Sequence, residues 1–460
     1  MKTKIGIECH VELNTKSKLF CSCPTIAELP NTAVCDTCVG FPGSKPRINE
    51  KAIEFATKLC LALKCSIAKQ LIFSRKTYFY PDMSKNFQIT QFEFPIGAKG
   101  KINITNKEIN ITRIQLEEDP AGLVHQGNTV LVDYNRSGHP LCEIVTEPEM
   151  ESPEEAREFM KKLITILNYL KIFDNKHCVI KADANVNIEG CERVEIKNIT
   201  GFKEIERAIT YEIERQKKLV SEGTPIKIKE TRGWNADQGI TLFQRSKESE
   251  DDYGYISEPD LVPIDLTKEF VLNIEKSLPE LPQEKARRYL TEYKIKKEDA
   301  EVIANDYELA QLYENSMKKN ISPIFAAEWI KREVSRVLNY NKKELDETFI
   351  LKNLIDILEL IENKKITRQT GQKLMEKLVK EDLKIKEYVK ENNLEVVSNT
   401  KELEELCKKV INENQKVLEE YKQGSQKSFM FLIGQVMKSS KGKADPKSVN
   451  EILNKIIKNN

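Results

Sequence analysis

The chain has 460 residues, enough for roughly two to four domains with a sizeable core. Its 73 Lys+Arg against 72 Asp+Glu leave a net charge of +1, which excludes a global basic field, so any nucleic-acid contact must be local. No run of about 18 apolar residues and no secretory leader pattern occurs, and the 11 cysteines include several isolated in apolar stretches, such as Cys60 and Cys178; the expectation is a cytoplasmic protein with reduced thiols and no membrane association.

The first element is IGIECHVEL, residues 5–13. It alternates strictly, so a strand places Ile5, Ile7, Cys9, Val11 and Leu13 on one face and Glu8, His10 and Glu12 on the other. FCSCPTIAELPNTAVCDTC follows, with Cys21, Cys23, Cys35 and Cys38 spaced C-x-C and C-x₂-C and eleven residues between the pairs. Four soft thiolates in two close pairs match the tetrahedral preference of Zn²⁺ in a closed, structural site; free thiols or a redox pair are the other readings.

A helix is predicted over 50–64, followed by SRKTYFYPDM at 74–83. There Arg75 and Lys76 either present cations to phosphates with the aromatics stacking on a base, or simply begin an aromatic strand end packed in the core. In ITRIQLEED, Arg113, Gln115 and Glu117 share a strand face, with Glu118 nominally opposite and the alternation expected to break at Asp119-Pro120. TVLVDYNR and PLCEIVTE read as further strands, the second carrying Glu143. A helix over 152–171 opens on Ser152 as N-cap with Pro153 at its first position. VIKADANVNI puts Lys181, Asp183, Asn185 and Asn187 on one face, and RVEIKN aligns Arg193, Glu195 and Lys197.

One such polar face is the ordinary wet side of an antiparallel sheet. Together they offer carboxylates, an imidazole, amides and cations, the inventory of a Mg²⁺–nucleotide pocket. No GxxxxGK[ST], GxSxG or HExxH is present, which excludes a P-loop and leaves any nucleotide to be held by those groups.

Fourteen of the 18 glycines and 13 of the 17 prolines precede residue 265, after which EKARRYLTEY, PIFAAEWIKREVSRVL and LKNLIDILELIE keep apolar residues at helical spacing. ENNLEVVSNT interrupts that pattern near 392–400. The fold class expected is α+β: a mostly antiparallel sheet domain over 1–264 with a zinc knuckle at 21–38, an all-α domain over 265–395, and a small all-α tail over 396–460. Residues 421–460 hold eight Lys against two acidic residues, a local +6 that includes Lys438, Lys441, Lys443 and Lys447.

The ordered set IECHVEL, RKTYFYPD, QITQFEFPI, LEEDPAG, VDYNRSG, EIVTEPEM, KADANVNI, VEIKNI, KETRGW and SEPDLVP resembles the amino-terminal domain of the GatB/GatE family of tRNA-dependent amidotransferase subunits. FLIGQVMKSSKGKADPKSVNEIL resembles the family's YqeY-type tail. The resemblance implies a glutamine-synthetase-like cradle that uses ATP and Mg²⁺ to phosphorylate the side-chain carboxylate of misacylated Asp-tRNA(Asn) or Glu-tRNA(Gln). A GatA-like glutaminase then supplies ammonia, and a GatC-like small subunit completes a heterotrimer. It further implies that Glu8, His10, Glu117, Glu118 and Glu143 hold Mg²⁺, with Lys76 also at the catalytic centre. Arg75, Lys76, Lys181, Asp183 and Asn185 would hold ATP, and the tail lysines tRNA.

The chain departs from the family pattern at DYGYISEPDL, where Gly254, Ile256 and Ser257 replace Arg, Phe and Pro, and at Lys181, which replaces an Arg and keeps charge without bidentate geometry. Two alternatives accompany this reading. A GatE-type subunit would need an inserted domain for which 264–290 leaves no space, and a non-catalytic tRNA-binding scaffold would have lost its chemistry.

Overall fold

The structure is a computed structural model; it describes residues 1–460 except 175, 247–253, 342–344, 346–348, 382, 397–399, 441–442 and 459–460. It divides into two compact units, Met1–Leu281 and Pro282–Asn460.

The first unit is built on strands β1 (Thr3–Glu12), β2 (Ser66–Ile67), β3 (Gln70–Leu71), β4 (Ser74–Thr77), β5 (Phe87–Thr90), β6 (Gly97–Asn103), β7 (Glu108–Glu118) and β8 (Gly122–Gln126). It continues with β9 (Thr129–Asp133), β10 (Pro140–Thr146), β11 (Ile180–Ile188), β12 (Val194–Thr200), β13 (Glu230–Asn235), β14 (Ile240–Ser246), β15 (Gly254–Ser257) and β16 (Ile264–Asp265). Nine of them form one sheet in the order β14-β13-β12-β11-β1-β10-β7-β6-β2, so the opening strand lies at its centre. The pairing is antiparallel except between β12 and β13. Those two are joined by a helix, which is what a parallel pair requires. A three-stranded sheet, β15-β4-β5, lies beside β7, where Gln91 Oε1 accepts from the Leu116 N–H at 3.0 Å.

Helices α1 (Glu50–Ala62), α2 (Pro153–Leu170), α3 (Phe202–Ser221) and α4 (Lys268–Lys276) complete the unit. The Asn49 side chain caps α1 by accepting from the Lys51 N–H, and Ser152 caps α2 by accepting from the Glu155 N–H, with Pro153 first in the helix. Helix α3 arises from FKEIERAITYEIERQ, a stretch whose charges obscure its periodicity; its inward stripe is Ile205, Ala208, Ile209 and Ile213, with Glu212 and Gln216 buried on the same side. Glu212 is satisfied there by Arg215, Gln216 and Thr241. Ile5, Ile7, Cys9 and Val11 join Ile114, Leu116, Cys142, Ile144, Ala182, Ala184 and Val186 in one core with these helices. The alternate residues of the same strands form the opposite, polar face.

The compositional change after residue 264 and the packing boundary after Leu281 differ by one helix, α4, which lies against α1. Between Asp265 and Pro282 there is only that helix.

In the second unit the run PIFAAEWIKREVSRVL begins with a helix over Pro323–Trp329, widens into a π-helical turn over Ile330–Val334 and continues over Ser335–Asn341. LKNLIDILELIE lies within a helix over Phe349–Glu362. Helices over Thr400–Glu413, Gln415–Lys422, Gln426–Ser439 and Pro446–Lys458 enclose a core of their own, among them Leu403, Cys407, Phe429, Leu432, Val449 and Leu453. Among the described residues no helix is long and apolar enough to cross a membrane.

Candidate active site

Strand register assembles the site. On β1, His10 stands opposite Glu143 of β10 on one side and Lys181 of β11 on the other; Glu143 in turn faces Gln115 of β7. One step along, Glu8 faces Asp183. His10 Nε2 lies 3.4 Å from Glu117 Oε1, 3.6 Å from Glu143 Oε2 and 3.9 Å from Glu8 Oε1. Glu8, His10 and Glu143 each offer one ligand atom with all three within 4.8 Å of one another. Glu117 and Glu143 are buried, while His10 and Glu8 keep partial exposure, so the cluster opens at one side.

The electrostatics follow from three carboxylates around one imidazole. Burial disfavours charge on His10, yet Glu143, Glu117 and Glu8 together push its pKa up to about 10. Burial would also raise Glu143, but the proximity of His10, with Arg113 and Lys76, holds it down to about 2. Burial and the neighbouring Glu143 charge lift Glu117 to about 7, and they raise Glu8 as well. The arrangement thus carries excess acceptor charge and draws positive charge into its centre.

The remaining residues expected at the site divide. Lys76 lies on β4 opposite Gln88, and its charge bears on both Glu117 and Glu143. Asp183 accepts from Lys197 Nζ at 2.8 Å, and Lys197 also approaches Glu195 at 3.5 Å. Lys181 acts on Glu12, whose carboxylate accepts from the Val179 N–H at 2.9 Å. Asn185 stands opposite Gly6 on β11, and its Oδ1 is buried without a hydrogen-bond partner.

Glu118 is not brought to His10: its carboxylate pairs with Lys85 and accepts from the Ile89 N–H at 2.8 Å. The Arg75 guanidinium is spanned by Glu258 at 2.7 and 2.8 Å, has Asp260 at 3.7 Å and covers the Phe87 ring. Phe79 and Tyr80 are exposed. Sequence reasoning did not single out Thr90, whose hydroxyl donates to Glu117 Oε2 at 3.1 Å, or Glu258, because neither stands in a periodic pattern and both meet the site only through the small sheet.

The four cysteines converge as well, with their sulfurs all within 4.8 Å and Cys35 Sγ 3.9 Å from Cys38 Sγ. Zn–S bonds of about 2.3 Å in a tetrahedron put sulfurs about 3.8 Å apart, so the set fits that ion. The Cys21 thiol, hydrogen-bonded to Cys38, brings the latter's pKa down to about 4 against the penalty of burial, aided by the Cys35 backbone and Lys18. The Cys38 carbonyl accepts from Ser84 Oγ at 3.0 Å and Ser137 Oγ at 2.8 Å, so this loop is tied to the segments that enter β5 and β10. In the second unit Lys438 and Lys447 lie on the last two helices with Lys443 between them; Lys441 falls outside the described residues.

Residues 3–272 match the GatB/GatE catalytic domain, and residues 284–457 match the GatB domain. The chain belongs to the GatB/GatE family. Curated members similar to it include the B subunit of the aspartyl/glutamyl-tRNA(Asn/Gln) amidotransferase of Thermoanaerobacter pseudethanolicus, 42% identical over 464 residues, covering 98% of either chain. The protein of the same name from Thermotoga maritima is 40% identical over 474 residues, again with 98% of each covered. That from Thermodesulfovibrio yellowstonii is 40% identical over 469 residues, with 99% of this chain and 98% of the other. Every residue of the His10 cluster and the four cysteines lies within the GatB/GatE catalytic match, and the tail lysines lie within the GatB domain match. Of the segment that departs from the family pattern, residues 252–253 fall outside the described residues. Gly254–Ser257 form β15, where Tyr255 lies opposite Lys76 and stacks on Phe92 at 4.0 Å between centroids.

Proposed function

We propose that the chain is the GatB-type subunit of a tRNA-dependent amidotransferase and phosphorylates the side-chain carboxylate of misacylated Asp-tRNA(Asn), Glu-tRNA(Gln) or both. Transamidation would follow with ammonia from a GatA-like glutaminase, in a heterotrimer completed by a GatC-like subunit. The observation that carries this reading is the convergence of Glu8, His10, Glu117 and Glu143 on one open, charge-hungry point within a GatB/GatE catalytic domain.

Activation is needed because a carboxylate does not give up an oxide to ammonia, whereas an acyl phosphate gives up phosphate. Glu8 and Glu143, with Glu117 beside them, would hold Mg²⁺, a hard cation suited to carboxylate oxygens, and His10 would join them only as the neutral imidazole, its proton displaced by the ion. When bound it neutralises the phosphoryl group in transfer. Lys76, whose charge already bears on Glu117 and Glu143, and Lys181, opposite His10, supply cations to ATP phosphates. A phosphate reaching Arg75 would have to compete with Glu258 and Asp260. Asp183 and the unpartnered Asn185 carbonyl offer further acceptors along β11. Zn²⁺ at Cys21, Cys23, Cys35 and Cys38 is a structural ion in this reading, since four thiolates close its coordination. Lys438, Lys441, Lys443 and Lys447 grip tRNA by its phosphates. All eleven cysteines are unpaired, which supports a reducing, cytoplasmic setting.

The test is reconstitution with the two partner subunits and each misacylated tRNA, with and without ATP and Mg²⁺. Glu117→Gln is expected to lower ATP-dependent amidation on the order of 10²–10³-fold while tRNA binding persists. Amidation unchanged by Glu117→Gln would favour a scaffold without chemistry.

A further inference from the structure

The two buried carboxylates beside His10 are joined by a hydrogen-bond chain whose directions are fixed. Arg113 Nε can only donate, and it donates to Gln115 Oε1 at 3.1 Å. That contact sets the orientation of the amide, so Gln115 Nε2 faces the opposite way. There its two protons go to Glu143 Oε2 at 3.1 Å and to Thr90 Oγ1 at 3.2 Å. Having accepted from Gln115, the Thr90 hydroxyl turns its own proton to Glu117 Oε2 at 3.1 Å. Gln115 is 5% exposed and Thr90 2%, so water does not compete for these bonds.

Each carboxylate is consequently held in one orientation. Glu117 gives Oε2 to Thr90 and keeps Oε1 for His10. Glu143 receives Gln115 at Oε2, the oxygen nearest His10, and has Arg113 Nη2 3.5 Å from Oε1. Left to themselves, two buried carboxylates on neighbouring strands would repel and splay apart. One neutral amide, with one hydroxyl from another sheet, ties them to a common reference without adding charge. A glutamate at 115 could accept from Arg113 but would have no proton for Glu143, and it would bring a further carboxylate into the same buried row.

We propose that Gln115 and Thr90 are positioning residues for the divalent-cation site, fixing the side-chain orientations with which Glu117 and Glu143 meet the ion. This rests on the reading of the His10 cluster as a cation site given above. Neither residue touches the ion or the substrate in this role, and both act through the carboxylates they hold.

The test measures Mn²⁺ binding to the zinc-loaded full chain by electron paramagnetic resonance, with Glu143→Gln as the control that assigns the signal to this site. Thr90→Val, which keeps shape and removes the hydroxyl, and Gln115→Met, which keeps length and removes the amide, are each expected to weaken Mn²⁺ binding by about 10–100-fold. Thr90→Ser restores the hydroxyl and is expected to restore affinity. The double variant Thr90→Val/Gln115→Met should bind more weakly than either single variant, because Thr90 holds Glu117 while Gln115 holds Glu143. A residue that merely supported the fold would shift the unfolding midpoint and leave Mn²⁺ affinity in place. If wild type binds no Mn²⁺ at this site, the cation reading itself fails. If wild type binds and both Thr90→Val and Gln115→Met bind equally well, the positioning role is overturned while the cation reading stands. Should Gln115→Met fold poorly, the near-isosteric pair Thr90→Val and Thr90→Ser decides alone.

Discussion

Cys21, Cys23, Cys35 and Cys38 come from a single loop, whereas Glu8, His10, Glu117 and Glu143 come from three strands spread from residue 8 to residue 143. The sulfur cluster gathers four soft donors from one stretch of loop, with Cys38 set apart by its lowered pKa. The oxygen–imidazole cluster sits on a sheet whose register places its donors without help from any ion. A loop can bring its donors together within one short stretch of chain, while a rigid sheet can hold like charges in unfavourable proximity and keep one side open.

The comparison breaks first at the cysteines. Chelation, or Cys35→Ser with Cys38→Ser, is expected to expose residues 21–41 to rapid proteolysis while far-ultraviolet circular dichroism stays as in wild type, because the core of the sheet includes none of the four sulfurs. Loss of the whole sheet signal on chelation would show that the loop is part of the cooperative unit.

A smaller effect is expected where the small sheet is clamped. Glu258→Gln leaves Arg75 facing only Asp260, and since the Glu258 side chain is 1% exposed, the urea midpoint should fall by the equivalent of about 3 kcal/mol. A value near zero would mean that the Arg75–Glu258 pair does not add to the backbone ladder that joins β15 to β4.

A further effect depends on pH. His139 lies near Asp119, Lys18 and Arg136; burial, with Lys18 and Arg136, lowers its pKa to about 4 against the pull of Asp119. A histidine depressed in the folded state favours folding above its ordinary pKa near 6.5 and loses that contribution as pH falls toward 4. The stability of wild type relative to His139→Gln should therefore fall by up to about 3 kcal/mol across that window, as read from urea midpoints at each pH. Identical slopes for the two would remove His139 from the account.

How legible each cluster was follows from the same contrast. The C-x-C and C-x₂-C spacing displays the sulfur cluster directly, because all of its donors are local in sequence. The polar faces of β1, β7, β11 and β12 were legible from alternation, whereas Glu143 on β10 was named only by the resemblance, which also named Glu8, His10 and Glu117. Which face meets which was fixed only by register, as with His10 opposite Glu143. Glu118 follows Glu117 in the chain yet turns to Lys85 and Ile89, since adjacent residues on a strand point to opposite sides. The amphipathic periodicity that revealed the later helices was masked in α3, where Glu212 and Gln216 occupy inward positions that look like surface until Arg215 and Thr241 are seen to meet Glu212, and the backbone of Val186 and Ile188 to meet Gln216. The π-helical turn at Ile330–Val334 interrupts a run with no Gly or Pro to announce it.

The place of β1 at the middle of the nine-stranded sheet has a consequence for synthesis. Its two neighbours, β10 and β11, begin at Pro140 and Ile180, so the strand leaves the ribosome long before either partner exists. Throughout that interval the strand offers both unpaired backbone and the bare apolar face of Ile5, Ile7, Cys9 and Val11, the kind of surface that recruits other nascent chains. From Ile7 onward Glu8, His10 and Glu12 alternate with these apolar residues along the chain, so charges that include two members of the cluster also keep the waiting strand dispersed.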